Sequence, residues 1–153
     1  MEAKHKKLYI AIFWIYSAFM LYLLFNRTGG IEGMDYWDQI RTHLNPIPFH
    51  TIRLFLKVLH NQTYSSAAFI NLGGNVIMFI PLGFLLPQVF PRLRKFWRTI
   101  LATALIITAV EVTQLFTLLG YCDIDDLILN LIGSLMGYVI YIYQSKPPAK
   151  PEA

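Results

Sequence analysis

Four long apolar blocks, residues 8 to 25, 69 to 90, 99 to 119 and 127 to 143, contain between them a single Asp, Glu, Lys or Arg, namely Glu111. A helix rises about 1.5 Å per residue and the hydrocarbon core of a bilayer is about 30 Å thick, so each block is close to the length that crosses a membrane once. The pattern predicts an all-α integral membrane bundle of four transmembrane helices. Composition agrees: 56% of the chain is hydrophobic and only 14% is charged, far from an ordinary soluble domain. The formal charge of +4 does not point to nucleic acid, because the basic residues flank the apolar blocks instead of forming a stripe interleaved with aromatics. The one cysteine, Cys122, excludes an intrachain disulfide and leaves no Cys-x-x-Cys element for a structural zinc.

The first block follows Lys4, Lys6 and Lys7 and runs into Asn26-Arg27 without a small-x-small cleavage site, so it reads as a signal-anchor rather than a secretory leader. Residues 26 to 68 form a polar loop broken by Gly29-Gly30, Asn45-Pro46 and Pro48. Within it Ile52, Phe55, Leu56 and Leu59 recur at helical spacing, with Arg53, Lys57 and His60 on the other side. This predicts a short amphipathic helix that either lies in the interface, with Arg53 and Lys57 beside lipid headgroups, or caps the bundle. Pro81 within the second block predicts a kink rather than a break. Pro147, Pro148 and Pro151 end any helix and predict a disordered tail over 146 to 153, with residues 1 to 153 forming one domain. Arg92, Arg94, Lys95 and Arg98 follow the second block, whereas the connection 120 to 126 holds three aspartates and no Lys or Arg. Cations near span ends stay in the cytoplasm, which predicts a multi-pass cell-membrane protein with both termini cytoplasmic.

Against this apolar background the polar residues inside the spans stand out. Asn71 and Asn75 share a helical face at i and i+4, Glu111 and Gln114 share one at i and i+3, and Asn130 follows Asp126 by four residues. Burying such groups in hydrocarbon costs a few kcal/mol, on the order of 3 for a carboxylate, so they turn towards a bundle interior or a wet cavity. Counting along the helices puts all of them, with Asp123 and Asp125, in the outer half of the membrane. The expected ligand site is an outward-opening pocket of Asn71, Asn75, Glu111, Gln114, Asp123, Asp125, Asp126 and Asn130. Asp123 or Asp125 would also cap the last span. The competing reading is that the amides are glue between helices and the aspartates are only caps. Gly133 and Gly137 in a Gly-x-x-x-Gly spacing predict close helix packing below the polar layer, and Gly73, Gly74 and Gly83 are expected to serve helix contacts too.

The ordered set Asn45-Pro-Ile-Pro-Phe49, Asn71 to Pro87, Glu111-x-x-Gln114 and Asp123 to Tyr138 resembles the VanZ-like family of bacterial membrane proteins. The resemblance implies a four-helix membrane protein associated with resistance to the glycopeptide teicoplanin; it implies no biochemical activity. Members often carry an Arg shortly before the Asp-x-Asp-Asp element, where this chain has Leu118-Leu119-Gly120-Tyr121-Cys122. Three functions stay open. The favoured one is a pocket for a cell-wall precursor lipid or a glycopeptide, its amides donating to sugar or phosphate oxygens and its carboxylates orienting the ligand or a divalent cation. The second is an enzyme on lipid headgroups with Glu111 as general base and Asp123, Asp125 or Asp126 holding a divalent cation; it lacks a nucleophile beside a base, His50 and His60 look isolated in the loop, and the favoured reading assigns no catalytic residue. The third is a non-catalytic assembly partner. Membrane lipids are expected partners, nucleic acid is not, no resident cofactor is assigned, and the oligomeric state is undetermined.

Overall fold

A computed structural model describes the backbone of residues 3 to 26, 29 to 58 and 65 to 145, and the side chains of 5 to 26, 29 to 57 and 71 to 145. The expected tail, Leu59 and His60 lie outside the described residues. Six α-helices are described: α1 (Ala3–Phe25), α2 (Tyr36–His43), α3 (His50–Val58), α4 (Ser65–Val89), α5 (Phe96–Thr117) and α6 (Ile124–Ser145). Four of them, α1, α4, α5 and α6, are long and apolar enough to cross a membrane. They fit a multi-pass membrane protein, and each covers one predicted block with ends shifted by a few residues. Pro81 does not break α4, which continues through it and through Pro87.

The α4 and α6 helices pack most closely, and glycine is the reason. A Cβ placed on Gly133 would fall on the Val76 carbonyl, one on Gly137 on the Ile80 carbonyl, and one on Gly83 on the Ser134 backbone. Removing the side chain lets two backbones approach, which is how helices gain dispersion contacts where water supplies no driving force. Gly73 and Gly74 depart from expectation: among the described residues a Cβ on either meets nothing within 4 Å, so they serve no helix contact there. They precede Val76, the α4 residue whose carbonyl meets Gly133. Around the seam, α1 packs Phe13, Met20 and Leu24 inward against Phe79, Leu82 and Leu86. Tyr16 anchors this contact by donating to the Met78 carbonyl at 2.7 Å. Thr103 and Ser134 hydroxyls bond at 2.9 Å to tie α5 to α6. The outward faces carry Trp14, Ile15, Phe19, Leu101, Leu105 and Ile140, an apolar skin suited to lipid.

The loop after α1 is more ordered than its polarity suggests. Asp35 caps α2 by accepting from the Trp37 N–H at 3.0 Å, and Tyr36 donates to the Phe116 carbonyl at the end of α5 at 3.0 Å. His43 stacks on Tyr121 with ring centroids 4.6 Å apart. Leu44–Asn45 (β1) and Cys122–Asp123 (β2) then pair as a short parallel ladder, with Asn45 opposite Asp123. This ladder delivers the polar loop to the start of α6.

Candidate functional site

The polar residues of α4, α5 and α6 meet at the end of the bundle where α4 and α6 begin and α5 finishes. Seven of the eight expected residues, Asn71, Asn75, Glu111, Gln114, Asp123, Asp126 and Asn130, line one cavity of about 700 Å³. Asp125 does not line it.

Each carboxylate has a distinct local role. Asp123 stands just before α6, and its Oδ1 accepts from the Asp125 N–H at 2.8 Å, an N-cap bond that satisfies a helix-terminal donor. Of the two aspartates considered for that cap, Asp123 is therefore the one that forms it. Its Oδ2 accepts from Asn45 Nδ2 at 3.0 Å and from the Thr51 hydroxyl at 2.5 Å. Neutral donors thus occupy the carboxylate that lacks a preceding arginine. The Glu111 carboxylate accepts from the Asp123 N–H at 3.2 Å and is 7% exposed. Asp126 accepts from Asn75 Nδ2 at 2.5 Å, bridging α6 to α4.

Asp125 is fully buried and reaches the loop instead. It accepts from the backbone N–H groups of Phe49 and Ile52, at 2.5 and 3.0 Å, so one side chain of α6 caps the first turn of α3. Phe49 has φ of 63°, a left-handed conformation unusual for a non-glycine residue, and this cap is among the bonds that hold it. As a result α3 lies over the cavity, with His50, Thr51, Leu54 and Phe55 in the wall. Of the residues assigned to the apolar side of this helix, Ile52 and Phe55 are half-buried, whereas Leu56 is exposed together with Arg53 and Lys57.

The amides divide into two kinds. Gln114 Nε2 donates to the Leu24 carbonyl at 2.8 Å, joining the ends of α5 and α1, and Asn75 Nδ2 is held by Asp126. These two are glue as well as lining. The Oδ1 atoms of Asn71 and Asn130, by contrast, are buried with no hydrogen-bond partner among the described residues, and Asn130 is only 3% exposed. An unsatisfied buried acceptor costs about 1–3 kcal/mol. The wall contains three carboxylates and no Lys or Arg among the described residues. Among the described residues no three His, Cys, Asp or Glu side chains are grouped so as to hold a metal ion.

A scan against protein-family descriptions matches residues 13–144 to VanZ/LLP1. The chain belongs to the VanZ/LLP1 family. Membership links it to membrane proteins associated with teicoplanin resistance. Comparison with curated proteins and with solved structures finds no match.

Among the wall residues that escaped the reading of the spans are Asn45, His50 and Thr51. The Asn45-Pro-Ile-Pro-Phe49 motif was their signal, since two prolines and an asparagine in a tight loop mark defined geometry, yet no local pattern tells that the loop folds back onto α6. His50, expected to be isolated, lies 3.4 Å from Asn45 Nδ2 on the cavity wall. Cys122 stands beside the site, and its thiol is pushed above the usual cysteine range by burial and, secondarily, by the negative charges of Glu111 and Asp123.

Proposed function

We propose that this VanZ/LLP1 protein binds the polar head of a lipid-linked cell-envelope molecule, or the glycopeptide that recognises such a head, in a pocket facing the cell exterior. The observation that carries the reading is the pair of partnerless amide oxygens, Asn71 Oδ1 and Asn130 Oδ1, set in a wall with three carboxylates and no Lys or Arg among the described residues. Such a wall selects donors: sugar hydroxyls, peptide N–H groups and ammonium groups. A bare phosphate head would meet like charge. The amides therefore act mainly as acceptors, because the nitrogens of Asn75 and Gln114 already donate within the protein. The exterior placement is supported by the charge count, which keeps the cationic loop 92 to 98 inside. In this reading Arg53 and Lys57, both exposed on α3, meet the phosphates of neighbouring lipids. An apolar recess of about 190 Å³ shares Glu111, Asp123 and Leu44 with the main cavity and gives an adjoining apolar part of the ligand a place to rest.

The test is teicoplanin susceptibility of bacteria expressing the wild type or Glu111→Ala at matched membrane levels. Loss of protection in the variant is expected, and undiminished protection contradicts the proposal.

The position of His50 favours a second reading, an enzyme acting on headgroups. An imidazole can both accept and donate a proton, and here it shares a cavity with Glu111, Asp123 and Asp126, a set capable of acid–base work. Turnover of labelled envelope lipids by purified protein, abolished in His50→Gln, would establish it; absence of turnover leaves the binding reading.

A further inference from the structure

The opposite end of the bundle holds a second cavity, of about 420 Å³, formed where the start of α1 meets the ends of α4 and α6. Tyr9 and His5 come from α1, Gln88 from α4, Arg94 from the turn that follows α4, and Tyr141 and Gln144 from α6. A short chain of bonds orders its polar groups. Gln88, 6% exposed, donates from Nε2 to Gln144 Oε1 at 3.2 Å, and Gln144 Nε2 donates to the Tyr9 hydroxyl oxygen at 3.2 Å. The Tyr9 oxygen is the acceptor in that bond, which leaves its own O–H as a donor. Arg94 lines the cavity, and its backbone is held there by its carbonyl, which accepts from the Tyr138 hydroxyl at 2.9 Å.

The charge here is the reverse of that in the first cavity. Residues 5 to 9, 88 to 98 and 138 to 145 include Lys6, Lys7, Arg92, Arg94, Lys95 and Arg98 and no Asp or Glu. A guanidinium, an imidazole and phenolic O–H groups around a cavity suit a phosphate, and Arg in particular offers it a forked pair of donors. We propose that this cavity binds the phosphate of an acidic glycerophospholipid in the cytoplasmic leaflet.

Two observations favour a lipid over a free anion. The cavity lies at the ends of three membrane-length helices, which is the depth of headgroups. Beside it the exposed aromatic residues Trp97 and Tyr143, 77% and 71% exposed, and the exposed Ile140 make an amphipathic rim of the kind that settles at a membrane interface. The leaflet follows from the lysines and arginines at this end, and acidic lipids supply the cytoplasmic surface charge that such residues meet. This site is independent of the head-binding pocket.

The experiment is native mass spectrometry of the full chain in mild detergent, titrated with phosphatidylglycerol or phosphatidylcholine. Wild type is expected to prefer phosphatidylglycerol by about tenfold. Arg94→Glu should abolish the preference, and Tyr9→Phe, which keeps the ring and so the fold, should weaken it about threefold. Lys7→Glu makes the same charge change outside the cavity and should alter it less than about twofold. The proposal is overturned if the two lipids bind equally, if Lys7→Glu and Arg94→Glu lose the preference alike, if Tyr9→Phe has no effect, or if inorganic phosphate at matched ionic strength displaces the lipid.

Discussion

Asn130 shows how a single side chain separates stability from function. Its amide oxygen is buried and partnerless, so Asn130→Leu, close in volume and free of polar atoms, removes a desolvation cost of about 1–3 kcal/mol. The variant is expected to unfold at equal or higher temperature than wild type while losing glycopeptide protection, as measured by thermal denaturation in detergent beside susceptibility. A clear fall in melting temperature would assign Asn130 to packing instead. Cys122 offers a second reading of the same neighbourhood. Burial first, then the Glu111 and Asp123 charges, holds its thiol protonated above the ordinary range. Removing one negative charge in Glu111→Gln lowers that pKa and raises the thiolate fraction at a fixed pH. Alkylation of Cys122 by iodoacetamide near pH 8 should therefore be faster in the variant; an unchanged rate would mean that Glu111 carries no charge there.

At the scale of elements, α3 depends on a residue far away in sequence. Its first turn is capped by Asp125 of α6, and two bonds to a buried carboxylate are worth about 1.5–3 kcal/mol each. Asp125→Ala should release α3 from the cavity, seen as faster hydrogen exchange at the Phe49 and Ile52 amides with the α4–α6 seam still protected. Exchange unchanged at those two amides would contradict the capping role. The spans and the amphipathic periodicity of α3 were legible because both are written in local apolar spacing. The α2 helix and the β1–β2 ladder were not, since α2 is a short polar segment held by caps and by contacts with the end of α5, and a two-residue ladder has no period to read. For the same reason Asp125 resembled its neighbours in sequence: whether an aspartate faces a cavity or a loop amide depends on where the loop returns. Gly133 and Gly137 carried a spacing with a mechanism, whereas Gly73 and Gly74 shared only the residue type.

At the scale of the whole molecule, the chain divides its charge between two ends. One end gathers carboxylates and amide oxygens beneath α3, and the other gathers lysines and arginines around Tyr9 and Gln144. Convergence of the polar groups was legible from helix counting, because antiparallel spans of similar length put the end of one beside the start of the next. Which amide nitrogens the fold itself engages was not, since the bonds of Asn75 to Asp126 and of Gln114 to the Leu24 carbonyl depend on how the helices pack. The most direct test compares two ligands for purified protein: a polyprenyl-diphosphate-linked disaccharide peptide and the polyprenyl diphosphate alone. Tighter binding of the first by about tenfold, with the difference erased in Glu111→Ala, is the predicted result. Equal affinity for the two ligands, or a difference that survives Glu111→Ala, would contradict the account.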